Sequence, residues 1–363
     1  MKCVLRVCLV SGQEVDALTA DEIRALPAGS AVTALKLRLQ PVVGASRFRQ
    51  KLVSEGRVVC DDDVLCIHEG PMEIQLVILP TCNAHADELV AAVAQDDIAT
   101  VRVLLDTAQD PDEADASGKT ALYVASQSGH LEVAKLLLEA AADVNRAIED
   151  ASQSRPLLAA AKNGHCELVR LLVAAGADKE KGDVWGMSPL LAACEKGGLE
   201  ISKLLMNAGA DKDKADMYGA SPCATASTEG QLEVLCYLLQ QRADVNKANY
   251  WNAIPLQLAA ERGHLNVVKT LVEAGSSIDE ADQHGRTALF CACEAGHLEV
   301  ARALIDGGAD KDKSSNNGLS PLSAASEEGH LEVVRMLIQA GADKEKAKIR
   351  ARHLYWLLMG KAR

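Results

Sequence analysis

The sequence predicts a mainly α-helical solenoid preceded by a small α+β domain. A short Thr/Ser-Pro-Leu-like motif recurs seven times, and five of the six intervals between its copies are 33 residues long. A fixed period of this size is typical of stacked units that bury their apolar faces against their neighbours. Hydrophobic residues make up 48% of the chain but aromatic residues only 3%, a composition that favours small, tightly stacked helices. The seven copies begin at Thr120, Arg155, Ser188, Ser221, Ile254, Thr287 and Ser320.

The first eighty residues lack this period and predict a β-hairpin followed by a helix. Hydrophobic and polar residues alternate over 1–10 and 14–18, on either side of a Ser-Gly-Gln turn. A helical stripe of apolar residues then runs from Val32 to Leu39. We expect this helix to end at Pro41, because proline lacks the N–H that a helix interior requires.

Further strands are predicted at 51–53, 57–59 and 72–79. With the hairpin and the helix, this order resembles a ubiquitin-like domain over residues 1–80. The resemblance implies an apolar partner-binding patch at Val10, Val53 and Val77, although ordinary sheet packing also explains these valines. No Gly-Gly pair follows the last strand, so we expect a docking surface and no conjugation to substrates.

The copy that begins at Thr287 illustrates one repeat. Thr287 is a suitable N-cap for a short helix, and Gly296 is suited to the left-handed conformation that ends it. Apolar residues from Leu298 onward have the spacing of a second helix, which stops at Gly307. The following loop contains Asn317-Gly318, a tight-turn dipeptide. The repeat therefore predicts two helices and a projecting hairpin-like finger.

The Thr/Ser-Pro-Leu opening, the central Gly-His-Leu-Glu-Val and the closing Gly-Ala-Asp together resemble the ankyrin repeat. This implies an ankyrin array over 84–350, with an atypical polar N-terminal cap repeat at 86–117 and seven repeats after it. His353 is in register with the seven openings, so 351–363 predicts a half-repeat cap. The alternative is a basic tail that lies on an acidic membrane surface.

Two positions of the repeat bear on possible sites. The histidine of Gly-His recurs once per repeat, so we expect it to tie the loop between the helices to neighbouring backbone and not to bind a metal. The residue after Pro-Leu varies among the copies, and we expect the inner-helix surface to vary accordingly. The residues at that position are Tyr123, Leu158, Leu191, Ala224, Gln257, Phe290 and Ser323.

Charge and cysteine content limit the partners and the compartment. Residues 81–346 contain 24 Lys and Arg against 41 Asp and Glu, a net charge of −17, which disfavours nucleic acid and favours a basic or extended protein segment. The eleven cysteines follow no paired framework, and the chain shows neither a signal peptide nor an apolar run of ~18 residues. We expect a monomer in the cytoplasm, with the nucleus as the alternative.

No catalytic, cofactor-binding or metal-binding motif is present. The chain lacks the phosphate-loop, nucleophile-elbow and zinc-protease patterns, and the thiols of Cys291 and Cys293 point apart on a helix. We therefore expect a non-catalytic interaction scaffold without cofactors. The alternatives are a ubiquitin-pathway adaptor that docks by its head and a regulatory fragment of a larger enzyme such as a kinase.

Binding is expected at the finger tips, which are the positions least constrained by packing. Four of the ten aromatic residues of the chain lie there, and aromatic side chains dominate interface energies. The alternative is that each ring packs over the next finger. Beside the tips, residues such as Glu261 and Arg262 at the ends of the inner helices form a mostly acidic floor. The tip residues are Trp185, Met217, Tyr218, Tyr250, Trp251 and His284.

Overall fold

The computed structural model describes residues 4–9, 11, 13–19, 22, 31–54, 57–59 and 72–345. The chain divides into two compact units. The first comprises residues 1–160 with 174–177, and the second comprises 161–173 with 178–363.

The first unit begins with a five-stranded mixed sheet in the order β2-β1-β5-β3-β4. The strands are β1 (Val4–Leu9), β2 (Glu14–Thr19), β3 (Gln50–Ser54), β4 (Arg57–Val59) and β5 (Met72–Ile78). The predicted hairpin is confirmed, since β1 and β2 pair in antiparallel fashion. Strand β1 also pairs in parallel with β5, which places the last strand of the domain at the centre of the sheet.

Helix α1 (Ala31–Val43) supplies the predicted stripe, and its residues Val32, Leu35 and Leu39 are fully buried in one cluster with inward-facing strand residues. The prediction that the helix ends at Pro41 is wrong, because the helix continues for two more residues. Proline removes only one N–H so close to the end of a helix, and Gly44 still donates to the Gln40 carbonyl at 2.9 Å. The sheet and helix are compatible with a ubiquitin-like β-grasp.

Eight successive helix pairs follow within the described residues. The pairs are α2 (Ala86–Ala94) with α3 (Ile98–Asp106), α4 (Ala121–Ser128) with α5 (Leu131–Glu139), α6 (Pro156–Lys162) with α7 (Cys166–Ala174), α8 (Pro189–Lys196) with α9 (Leu199–Asn207), α10 (Pro222–Thr228) with α11 (Leu232–Gln240), α12 (Pro255–Arg262) with α13 (Leu265–Glu273), α14 (Ala288–Glu294) with α15 (Leu298–Asp306), and α16 (Pro321–Glu327) with α17 (Leu331–Gln339). The mainly α repeat architecture predicted from the 33-residue period is confirmed.

In five of the eight described helix pairs the first helix begins at a capping hydroxyl, as the sequence predicts for Thr287. The Thr287 hydroxyl accepts a hydrogen bond from the Phe290 N–H at 3.2 Å, and Ser188 does the same for Leu191 at 3.3 Å. Such a bond satisfies one of the backbone donors that a helix start leaves unpaired. Ile254 cannot form it, and there the side chain of Gln257 accepts from the Ile254 N–H at 2.7 Å instead.

The residues after Pro-Leu do not vary the inner-helix surface, which corrects the expectation from sequence. All seven are buried, and Phe290 and Gln257 are only 3% and 2% exposed. The residue after Pro-Leu lies in the first turn of the helix, where it is buried inside the array. Differences at this position between repeats therefore change internal packing and not the exposed surface. Gln257 also donates to the carbonyls of Arg286 at 2.7 Å and Glu280 at 3.2 Å, a bridge that the sequence analysis missed.

The predicted role of the repeat histidines is confirmed in three copies. Nε2 of His264, His297 and His330 lies 3.0 Å from the carbonyl oxygen of the residue 36 positions earlier. Gln231 replaces the histidine in one repeat and donates to the Glu195 carbonyl at 3.2 Å. His130 differs, because its Nδ1 lies 3.5 Å from the Asp96 carboxylate. These five contacts tie their inter-helix loops to the preceding repeat.

Several predicted features lie outside the described residues, namely Val10 and the stretch 351–363. In the part of the chain that is described, no helix is both long and apolar enough to cross a membrane. The same residues contain no group of three or more His, Cys, Asp or Glu side chains placed to hold a metal ion.

Candidate protein-binding surface

The finger tips of the second unit are joined by backbone hydrogen bonds. The Met217 N–H donates to the Trp185 carbonyl at 2.9 Å, and the Tyr250 N–H donates to the Tyr218 carbonyl at 3.0 Å. In the next two fingers the Gln283 N–H donates to the Trp251 carbonyl and the Asn316 N–H donates to the His284 carbonyl, each at 2.9 Å. One bond per step therefore fixes each tip against the tip before it.

In four of these fingers an Asp or Asn side chain accepts hydrogen bonds from the backbone N–H groups of the tip. Oδ1 of Asp216 accepts from the N–H groups of Tyr218 at 2.8 Å and Ala220 at 2.9 Å. Asn249 does the same for Trp251 and Ala253 at 3.0 Å each. Asp183 and Asp282 occupy the equivalent positions in the flanking fingers. These side-chain turns hold the tip backbone in one conformation before any partner arrives.

The side chains on these tips form an exposed apolar row. Trp185, Tyr218 and Trp251 are 47%, 45% and 48% exposed, and Tyr250 is 74% exposed. Within the described residues, six of the twelve exposed large hydrophobic side chains lie in this row. We call the row the finger ridge; it consists of Val184, Trp185, Met217, Tyr218, Tyr250 and Trp251. Val184 was missed by the sequence analysis, which considered only aromatic residues and their Met and Tyr neighbours.

Both interpretations of the tip aromatics find support in the geometry. The rings of Tyr218 and Trp251 are stacked, with centroids 5.9 Å apart and an interplanar angle of 15°. This contact between successive fingers agrees with the packing interpretation. Each of these two rings nevertheless keeps close to half of its surface in solvent, so the contact leaves an apolar face available.

The ridge gives way to polar tips toward the C-terminus. His284 is exposed, and its Nε2 lies 3.1 Å from the Gln283 side chain. The next finger presents Asn316, whose side chain donates to the Gln283 carbonyl at 3.0 Å. His284 therefore lies in the predicted row but marks its end, where polar side chains replace the apolar ones.

The floor beside the ridge is less acidic than its sequence predicts. Glu261 and Arg262 are both exposed at the end of α12, as expected. Glu294, however, pairs with Arg286 at 3.3 Å, and the same guanidinium bonds the buried Asp282 at 2.8 Å. Arg286 thus offsets the negative charge of two carboxylates. The sequence does not reveal this pairing, because Arg286 lies outside the inner helices, eight residues before Glu294.

Many further carboxylates hold the bases of the fingers together. The Asp213 side chain accepts from the Asp244 N–H at 2.8 Å, and the Asp279 side chain accepts from the Asp310 N–H at 2.9 Å. Equivalent bonds join Glu180 to Asp211, Asn246 to Ser277 and Asp312 to Asp343. Part of the negative charge of the array therefore has a structural role.

The described part of the ubiquitin-like patch is a group of valines on the outer face of the sheet. Val53 and Val77 are both half-buried. Val58 lies directly opposite Val53 across β3 and β4, and it is 48% exposed. Lys51 lies opposite Val77.

The cysteines of the inner helices are core residues. Burial raises the pKa of the Cys223 thiol to about 12, and it does the same for Cys291. Burial also raises the pKa of the Cys194 and Cys293 thiols far above the usual range. These thiols stay protonated at neutral pH, so they lack the thiolate that a nucleophile or a metal ligand requires.

The repeated helix pairs, the hydrogen-bonded fingers and the Gly-His ties define a class of protein that presents a surface built from stacked repeats. A family model of ankyrin repeats in three copies matches residues 69–148, 157–249 and 254–348, well over half of the chain. A second model of ankyrin repeats in many copies matches residues 125–173. The chain belongs to the ankyrin repeat family. A comparison with curated proteins finds no match to it.

Proposed function

We propose that the protein is a non-catalytic scaffold that binds a partner protein through the finger ridge. The exposed apolar row on fixed finger tips carries this proposal. Trp and Tyr are the residues in which interface energy is most often concentrated. The hydrogen-bonded backbone of the tips adds to this, because a surface that is ordered before binding loses little conformational entropy when the partner arrives.

The partner that fits best is a basic or extended protein segment. Residues 81–346 have a net charge of −17, so a cationic segment is attracted and a second copy of this chain is repelled. Exposed Glu261 supplies a negatively charged acceptor for such a segment. A reducing cytoplasmic or nuclear setting suits the unpaired thiols of the core.

The test is the paired measurement of partner capture and stability for Trp251→Ala. Full-length wild type and variant serve as baits, and quantitative mass spectrometry compares the captured proteins. We expect proteins that need the ridge to bind the variant roughly 30-fold more weakly, which corresponds to a loss of about 2 kcal/mol. The melting temperature should change by no more than a few degrees.

Asn317→Ala is the matched control, since Asn317 occupies the same tip position two repeats later, is also exposed and is polar. Proteins retained by this control and lost by Trp251→Ala identify ridge partners. If Trp251→Ala lowers the melting temperature strongly and the folded fraction still captures the same proteins, the ring is a packing element. The binding surface must then lie elsewhere.

A second candidate is an adaptor role for the head. Val53, Val58 and Val77 form a small apolar group on the outer face of its sheet, which favours docking of a receptor there. Val58→Asp in the full chain should abolish capture of such a receptor and leave ridge partners unaffected. Unchanged capture of all partners would exclude this role.

A further inference from the structure

The head contacts the first repeats through a buried arginine. Arg47 lies in a 3-10 turn (Arg47–Arg49) immediately before β3, and its side chain is 5% exposed. Its Nε and Nη2 both donate to Oε2 of Glu139, at 2.8 Å each, although Glu139 is 92 residues further along at the end of α5. Two bonds from one guanidinium to a carboxylate form a strong and directional contact.

The arginine covers an aromatic ring that is also buried. The guanidinium carbon of Arg47 lies 3.9 Å from the ring centroid of Phe48, which is 3% exposed. A buried guanidinium is costly unless it is paired, and the carboxylate of Glu139 supplies such a pair for Arg47. The head and the second helix pair are therefore joined by an interaction that neither makes alone.

The segment between the head and the first repeat is fixed at both ends. Leu79 and Arg49 exchange two hydrogen bonds, from the Leu79 N–H at 2.8 Å and from Arg49 Nε at 2.9 Å. Cys82 then pairs with the loop after α3: its N–H donates to the Ala108 carbonyl, and its carbonyl accepts from Asp110, both at 2.8 Å. Residues 79–82 consequently leave no free length for the head to move as a tethered module.

Lys51 makes a third contact between the head and the repeats. Lys51 on β3 donates from Nζ to the Asp106 carbonyl at 3.2 Å, at the C-terminal end of α3. A helix C-terminus carries partial negative charge and unpaired carbonyls, so a lysine there is favourable. The turn before β3 and β3 itself thus contact the ends of both α3 and α5.

We propose that the head is the N-terminal cap of the ankyrin array, docked by its Arg47–Lys51 edge on α3 and α5. The sequence predicts that residues 86–117 are the cap. In the structure, however, the head covers the C-terminal ends of α3, which belongs to that repeat, and of α5 in the next one. In consequence the head and the helix pairs up to Glu139 unfold together. The Arg47–Lys51 edge is also occupied, so among the described residues of the head a receptor would dock on the outer face around Val58.

The test is hydrogen–deuterium exchange on the full-length chain, with Arg47→Ala and Glu139→Gln. Arg47→Ala removes the guanidinium and Glu139→Gln removes the negative charge of its acceptor, so each variant weakens the pair from one side only. We expect exchange to rise by about tenfold or more in β3 and also in α3 and α5, whichever partner is changed. The double variant should show little more than either single change, because both remove one interaction.

Arg38→Ala is the matched control, because Arg38 is a paired arginine of the head that bonds only head residues, with Nε 2.9 Å from Asp16. It should raise exchange in the head alone. The proposal is overturned if Arg47→Ala affects only the head, if Glu139→Gln affects only the repeats, or if their effects add. Should Arg47→Ala fail to fold, Arg47→Lys retains the charge and provides the same comparison.

Discussion

At the scale of single residues, the glycine between the two helices meets two requirements in four repeats, at Gly197, Gly230, Gly263 and Gly296. Gly230 has a φ of +71°, and a Cβ there would lie 2.6 Å from Nδ1 of His264. The same imidazole bonds the Thr228 carbonyl through Nε2. The glycine is therefore needed for its left-handed backbone and for the room it leaves to the ring of the following repeat.

We predict that Gly230→Ala destabilises the protein more than Gly275→Ala. Gly275 has a φ of +84° and no atom within 4 Å of an added Cβ, so its substitution measures backbone strain alone, about 1–2 kcal/mol. At Gly230 the displaced His264 also loses its hydrogen bond, which adds roughly 0.5–1.5 kcal/mol. Urea denaturation of both variants gives the difference. Equal losses would mean that the ring moves away without cost.

At the scale of elements, the start of α12 shows how a glutamine can replace a capping hydroxyl. Helix α12 follows Ile254, which has no capping hydroxyl, and Gln257 bonds the Ile254 N–H at 2.7 Å. The same amide donates to the Arg286 carbonyl in the next finger, also at 2.7 Å. One side chain thus caps its own helix and joins it to the following repeat.

We predict that Gln257→Leu costs about 1–3 kcal/mol, because it leaves a buried donor and a buried acceptor unpaired. Leucine fits the site sterically, since Leu158 and Leu191 occupy the same position in other repeats. Gln283→Leu, on an exposed finger, is the control and should be nearly neutral. A chemical-denaturation midpoint for Gln257→Leu that matches the control would show that the bridge contributes nothing.

Elements set by local pattern were predictable from the sequence, and those set by distant partners were not. The 33-residue period and the capping hydroxyls located the repeat helices, because each signal lies within one repeat. The finger tips were found for the same reason. The burial of Phe290 and the pairing of Arg47 with Glu139 depend on residues in other elements, which no local pattern reveals. The same applies to Arg286, whose effect on the acidic floor requires its contacts with Glu294 and Asp282.

At the scale of the whole molecule, the second compact unit is held together by contacts between neighbouring repeats. In the second unit, side chains at the finger bases, backbone at the finger tips and histidines between the helices each join one repeat to the next. Each of these bonds spans about one repeat of sequence. Stability in such an array is a sum of repeat and interface contributions, so damage to one repeat spreads outward and weakens with distance.

Leu256→Ala tests this within the second unit. Leu256 is fully buried in α12, so its truncation should cost roughly 2–5 kcal/mol. We expect faster hydrogen–deuterium exchange in α12 and α13, a smaller increase in the adjacent pairs α10–α11 and α14–α15, and the smallest in α8–α9 and α16–α17. Val103→Ala, at a site 63% exposed on α3, is the control and should leave exchange in these helices unchanged. An equal increase in all five pairs would mean that the unit opens as one cooperative block, and an increase confined to α12 and α13 would mean that the bonds between repeats transmit no stability.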